Sequence, residues 1–330
     1  YRLMSSPSIK GAEKAIEEIS ENLFEKILKK PIADFDSENL TIIPDGELHY
    51  LPFDLLEENG SYLLETKSIG YGNSVTSLLE LKEKEGAETN KIFAFAPSFS
   101  GTVALNSDRQ FGKLLYNDDE VQKIGTYFDS EALYKKEATL KKFKANASRY
   151  NIFHLATHAS ANDEYPDYSY LAFTEMNDST ESNILYIKDL YNTTLNADMV
   201  TLSACQTGIG KLQKGQGMMS LSKGFFYAGA KSLVNTLWKI NDASSATVMD
   251  IFYKNLSEGQ TKDLALQQAK NTFFLGNRQN ALAHPYYWSG FVISGNTAPL
   301  VSSNSWVWIV LGIVILSIIF GFFFLRKRKT

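Results

Sequence analysis

One cysteine and four histidines are the side chains from which this chain could build a nucleophile, a base or a soft metal site. Two of them fall at matching places in two apolar runs. In NIFHLATHASA (151–161), Ile152, His154 and Ala156 share one face of an extended segment and Phe153, Leu155 and Thr157 the other; His158 falls at or just past the end of the strand. In ADMVTLSACQTG (197–208), residues 199–202 read as strand core, and Cys205 falls just past its end, before Gly208 and Gly210 open a loop. Open α/β sheets hold ligands outside the carboxyl ends of their strands, so two neighbouring parallel strands would set His158 and Cys205 on one rim. The chemistry that follows is acyl transfer. A thiol attacks as its thiolate, and an imidazole beside it takes the thiol proton or, once charged, holds the thiolate as an ion pair. The same ring then returns a proton to the leaving amine. Backbone amides at the strand ends, at Ala159 and Cys205, are placed to meet the developing oxyanion. This chemistry calls for no cofactor and no metal.

Residue type alone leaves other readings open. A lone cysteine in an apolar strand is most often a small buried hydrophobe. His154 and His158 are four apart, as in H-E-x-x-H, but Leu155 stands where the glutamate is needed and the segment reads as strand, so His154 is expected in the core. Gly208, Gly210, Gly215 and Gly217 suggest a phosphate loop, yet Lys211 is followed by Leu212 rather than Ser or Thr, and the glycine spacing fits neither phosphate pattern. They read as a mobile loop after the cysteine. His49 and His284 lie beside turn residues with nothing catalytic around them. A single cysteine excludes an intrachain disulfide framework and a multi-cysteine zinc site. Four of the 33 basic residues, Arg326 to Lys329, close the chain, so the body before them carries 29 basic against 37 acidic side chains. That acidic balance argues against nucleic acid as a partner.

The elements that must position the pair come from periodicity. Short apolar runs bounded by turns predict strands at 40–43, 91–96, 151–156, 198–203, 231–237 and 290–294. Helical stretches alternate with them at about 75–84, 118–128, 138–148, 215–229, 242–257 and 261–275, and an amphipathic helix over 8–30 is expected to end at Pro31. This alternation predicts an α/β fold with a mostly parallel sheet flanked by helices. Residues 101–117 and 160–182 are polar and read as long loops, a length often tied to function. Residues 306–325, WVWIVLGIVILSIIFGFFFL, are 20 residues without a charge, with Trp306 and Trp308 at one end and a basic cluster at the other. The pattern predicts one transmembrane helix contacting the lipid bilayer. The basic tail, 326–330, would be cytoplasmic and the body extracytoplasmic, the alternative being a tail anchor with a cytosolic body. The expected layout is a domain over 1–296, a linker over 297–305, the helix and the tail.

With these residues on the page, the chain resembles the CHAT-domain family, caspase-like cysteine peptidases often associated with tetratricopeptide repeats. The matching stretches are IIPDGELHYLPFDLL (42–56), FHLATHA (153–159), LSACQTGIGKLQKGQGMMSLSKGFFYAGAKSLVNTLW (202–238) and HPYYWSGFVISG (284–295). The 47-residue separation of His158 and Cys205 agrees with the roughly 50 of caspases. The resemblance implies a caspase-like fold, His158 as base, Cys205 as nucleophile and the amides of Ala159 and Cys205 as oxyanion hole. Together with the apolar segment 306–325, the resemblance leads to the expectation of a membrane-anchored bacterial cysteine endopeptidase acting on a protein or peptide substrate, regulated by a partner protein or by upstream repeats. Two departures matter. Ala159 replaces the glycine that follows the histidine in caspases, and its amide still donates. Ser203 replaces the glutamine that lines the caspase pocket for an acidic side chain, so cleavage after aspartate is not implied. Asp163, with Glu164 and Asp167, would favour a basic substrate side chain or form a solvated acidic loop. The rival function is a catalytically silent caspase-like binding module serving as a membrane receptor or scaffold.

Overall fold

The computed structural model describes residues 1–84, 90–99, 111–162, 164–174, 182–205 and 216–301, without the side chains of residues 204, 205 and 216–220. The strands, in chain order, are β1 Asn39–Ile42, β2 Glu57–Glu58, β3 Ser61–Tyr62, β4 Ser68–Tyr71, β5 Ile92–Pro97, β6 Ser130–Lys135, β7 Ile152–Ser160, β8 Tyr170–Ala172, β9 Ile184–Tyr186, β10 Met199–Cys205, β11 Ser232–Thr236 and β12 Phe291–Gly295. The helices are α1 Ala12–Leu23, α2 Lys29–Ile32, α3 Val75–Glu83, α4 Asn117–Ile124, α5 Leu140–Asn146, α6 Ile187–Leu190, α7 Gln216–Ala228, α8 Asp242–Ser257 and α9 Lys262–Asn277. β2 and β3 form a small hairpin; the other strands make one sheet whose main path is β1-β4-β12-β11-β10-β7-β5-β6. β12 runs antiparallel to β11, and β8 and β9 extend antiparallel from the end of β7. The remaining pairings are parallel. The expected mostly parallel sheet is therefore present.

The central strands are apolar almost throughout because both faces are covered. Alternate residues feed two separate cores. Ile92, Ala94, Ile152, Ala156, Met199 and Val234 meet α8 and α9 through Val248, Met249, Phe252 and Leu266. Phe93, Phe95, Phe153, Leu155, Val200 and Leu233 meet α5, α6 and α7 through Phe143, Ile187, Leu190 and Phe225. Emptying one of these fully buried phenylalanine sites to alanine costs roughly 3–5 kcal/mol. Side-chain caps start the helices where the sequence changes period: Ser74 accepts from the Ser77 amide, Thr139 from Lys142 and Asn241 from Ser244. Between α7 and β11 the chain turns at Gly229, φ +115°, where a Cβ would sit 2.2 Å from the Leu195 carbonyl oxygen, so only glycine fits.

Several sequence expectations need correction. The first helix does not end at Pro31: after Leu23 the chain makes a π-helical turn over Phe24–Leu28, with the Lys29 amide bonded to the Phe24 carbonyl. Pro31 then falls in the first turn of a new helical segment, where its missing N–H is not needed. Residues 160–182 are not all loop, since they carry β8. β6 escaped the periodicity because it is the edge strand of the sheet, with partly exposed residues on both faces. The compact body extends from Tyr1 to Leu300, and Leu300 packs against the core while its carbonyl accepts from Asn90 Nδ2. The membrane placement is also corrected. Among the described residues no helix is long and apolar enough to cross a membrane, and residues 306–325 lie outside them.

Candidate active site

His158 stands near the carboxyl end of β7 and is buried. Its Nε2 lies 2.7 Å from the carbonyl oxygen of Gly112. A carbonyl can only accept, so Nε2 carries the proton and the neutral ring keeps its lone pair on Nδ1. The imidazole sits between two phenylalanines, its centroid 4.7 Å from that of Phe99 and 5.5 Å from that of Phe111, with the Phe111 ring stacked at 18°. This apolar wall withdraws the ring from water and holds its pKa below the usual imidazole value. The Gly112 bond opposes that shift, Lys239 adds to it and Asp242 opposes it. The outcome is a ring that stays neutral, and able to accept a proton, to lower pH than a free histidine.

Cys205 is the last residue of β10, the strand hydrogen-bonded to β7. The register runs from Met199 opposite Ile152 to Ser203 opposite Ala156, then slips so that Cys205 faces Ala159. β7 takes three steps where β10 takes two, so the extra residue of the irregularity is on β7, beside the histidine. Ala159 also pairs with Leu171 of β8, and β7 is thus held on both sides where the two residues meet. Backbone register brings His158, Ala159 and Cys205 together at the carboxyl rim.

Below them lies a buried polar layer. His154 directs Nε2 at Glu120 Oε1 of α4 (2.7 Å) and Nδ1 at the Tyr253 hydroxyl of α8 (3.0 Å). Tyr253 donates in turn to Thr201 Oγ1. Both ring nitrogens have partners inside the protein, and His154 is a core histidine. Ser203, the expected pocket residue, belongs to this layer: it is 1% exposed and its hydroxyl lies 2.7 Å from that of Ser245 on α8. It braces β10 against α8 and presents no surface to a substrate. Asp163 lies outside the described residues. Of its neighbours, Glu164 is exposed and Asp167 accepts from the Tyr191 hydroxyl.

A family model, the CHAT domain, matches residues 13–296. The chain belongs to the CHAT-domain family. Among curated proteins, tetratricopeptide repeat protein 28 of mouse and its human counterpart are each 22% identical over 306 residues, covering 81% of this chain. The chain spans 12% of the length of those relatives. Among solved structures, the Arg-specific cysteine proteinase gingipain R superposes with a TM-score of 0.51 at 10% identity, over 90% of this chain and 70% of its own. The complex of Porphyromonas gingivalis RgpB pro- and mature domains gives 0.51 at 11%, over 90% and 71%. At such identity the likeness is one of fold, and the CHAT domain here has the caspase-like fold of those proteinases.

Residue types could not reveal Gly112. It acts through a carbonyl that any residue carries, and the only signal was the length of the polar stretch containing it. The same holds for Asn117, whose Nδ2 donates to the carbonyls of Pro97 and Ala156 (2.9 and 3.3 Å) and ties the end of β5 to β7.

Proposed function

We propose that this CHAT domain, the body over 1–296, is a cysteine-type endopeptidase with His158 as base and Cys205 as nucleophile. One observation supports it above the others: a histidine whose Nε2–H is committed to a backbone carbonyl stands one position from the register partner of the chain's single cysteine, at the carboxyl rim of a sheet. In this reading Nδ1 accepts the thiol proton and the sulfur bonds to the scissile carbonyl carbon. The resulting oxyanion is received by the amides of Ala159 and Cys205. Collapse breaks the C–N bond as the imidazolium returns its proton to the leaving amine. Water, deprotonated by the same ring, then cleaves the thioester and frees the thiol. Asp-directed cleavage is not part of the proposal, since Ser203 is buried against α8. We infer further that a partner protein or an upstream repeat region regulates the domain; the curated relatives are named for such repeats.

The test compares new peptide termini in a mixture of native cell proteins incubated with the wild-type chain or with its Cys205→Ala variant. Termini that arise with the wild type alone support the peptidase, and their flanking residues read out its pocket. Identical termini, together with slow alkylation of Cys205 at neutral pH, would sink it.

A further inference from the structure

Asp242 is the first residue of α8, and that helix has no need of it as a cap, because Asn241 already accepts from the Ser244 amide. Its half-buried carboxylate turns instead to the segment before α4. There Oδ2 accepts from two consecutive backbone amides, Leu115 at 2.7 Å and Tyr116 at 2.9 Å. The Leu115 and Tyr116 side chains are both exposed, so between the packed Leu114 and the buried Asn117 these two residues meet α8 through their amides. Three residues upstream lies Gly112, whose carbonyl takes the proton of His158 Nε2. Phe111, which stacks on the same imidazole, is next to it. One carboxylate on α8 is therefore bonded to the stretch that carries the ring's hydrogen-bond partner and its stacking partner, alongside the packing of Phe111 and Leu114.

We propose that Asp242 is a positioning residue for His158, acting through the 111–116 loop by accepting two backbone hydrogen bonds. The inference rests on the reading of His158 as the base. The job requires an acceptor oxygen that reaches both amides, and the negative charge is secondary to it. A misplacement of about 1 Å at a proton-transferring group costs on the order of 100-fold in rate, so releasing the loop is expected to cost about 10–100-fold. Two charged groups act on the ring from this side, Asp242 itself and Lys239 in the turn before α8; Phe99 and Phe111 on its faces are neutral.

The experiment measures the pH dependence of Cys205 alkylation by iodoacetamide, and of peptide cleavage, in the full chain carrying Asp242→Asn, Asp242→Ala or His158→Ala. Asparagine keeps an oxygen in the same place. Its rate should stay within about threefold of wild type, with the acid limb moved to lower pH because the anion near the ring is gone. Alanine should lose about 10–100-fold, with the loss in kcat rather than KM. Asp242→Ser, suited to a first helical turn but too short to reach both amides, should follow alanine and serves if alanine does not fold. An alanine variant with wild-type rate and profile overturns the proposal. So does an asparagine variant as slow as alanine, or a loss confined to KM, either of which makes Asp242 a charge or a substrate contact. If alkylation of the wild type is untouched by His158→Ala, the base reading itself falls and this proposal with it.

Discussion

The two ends of the central parallel strands treat polar groups in opposite ways. At the amino ends, charges and amides are paired across the strands. Asn151, just before β7, accepts from the Lys91 amide and donates to Asn90 Oδ1 and Asp198 Oδ2. Asp198, just before β10, binds Lys231, just before β11, at 2.5 Å. Ser68, opening β4, bonds Asn39 and Asp263. These strand starts are thereby tied to one another from β5 through β7 and β10 to β11, and from β4 to β1. At the carboxyl ends, the central group is a neutral ring between two phenylalanines, and the nearby charges Lys239 and Asp242 act on it without an ion pair. Paired charges hold a fold. A desolvated ring with one committed nitrogen is left free to exchange a proton.

Breaking each end should therefore fail differently. Cys205→Ala is expected to abolish cleavage, and His158→Ala to lower it by about 10³-fold, within the range for loss of a general acid–base group. His158→Ala also empties a buried site between Phe99 and Phe111, so it should lower the denaturation midpoint as well as the rate. Asp198→Ala leaves the buried Lys231 without that carboxylate and should cost about 3 kcal/mol of stability, seen in urea titration. The folded fraction of that variant should keep the pH profile of cleavage. If Asp198→Ala moved that profile, the separation of the two ends would be wrong.

Legibility in the sequence follows the same division. The apolar runs of β5, β7, β10 and β11 were readable because burial on both faces leaves no room for polar residues. His158 and Cys205 were readable as residues at or just past the ends of two such runs, but alternation gives no strand order, and only the register shows that β7 and β10 are neighbours. What stayed hidden depends on tertiary neighbours. β6 is an edge strand with no apolar signature, and Gly112 contributes only a carbonyl. Ser203 looked like a pocket residue by analogy, but its hydroxyl is turned to Ser245, a partner 42 residues away. Asp242 is a first-turn acid of α8, and only the fold shows the two amides it accepts from.

Lys262 sharpens the comparison from the amino end. It opens α9, is buried, and donates Nζ to the Asn296 carbonyl at 3.0 Å. Burial lowers its pKa from 10.5 to about 8, assisted by Lys231 and opposed by Asp198 and Asp263. Because the folded value lies below the unfolded one, the native state releases this proton first, and the unfolded chain binds more protons between pH 8 and 10.5. Stability contributed by the neutral amine is complete above the unfolded pKa and lost as pH falls through about 8. Against Lys262→Met, which does not titrate, the wild type should gain up to about 3 kcal/mol across that window. Parallel urea curves for the two proteins from pH 7.5 to 10 test this. A constant difference would mean that Lys262 keeps its proton and pairs like Lys231.

The smallest effect belongs to the rim, where charge acts on His158 from a distance. Lys239 is exposed, and its ammonium disfavours the imidazolium, adding to the larger effect of burial. Lys239→Met removes that repulsion, so the acid limb of cleavage should move up, toward the ordinary imidazole midpoint of 6.5, without reaching it because burial remains. An exposed charge is screened by salt, with a Debye length of about 10 Å at 0.1 M and 3 Å at 1 M. Raising the salt should shift the wild-type limb in the same direction as Lys239→Met, because Lys239 outweighs the opposing Asp242, and should move the variant's limb slightly down as Asp242 is screened. Burial by Phe99 and Phe111 and the opposing Gly112 bond do not respond to salt, so the part of the depression that survives at 1 M measures the apolar wall less that bond. A limb that reached the ordinary midpoint in high salt would assign the whole shift to charge, and the carboxyl rim would then differ from the amino end only in which charges it holds.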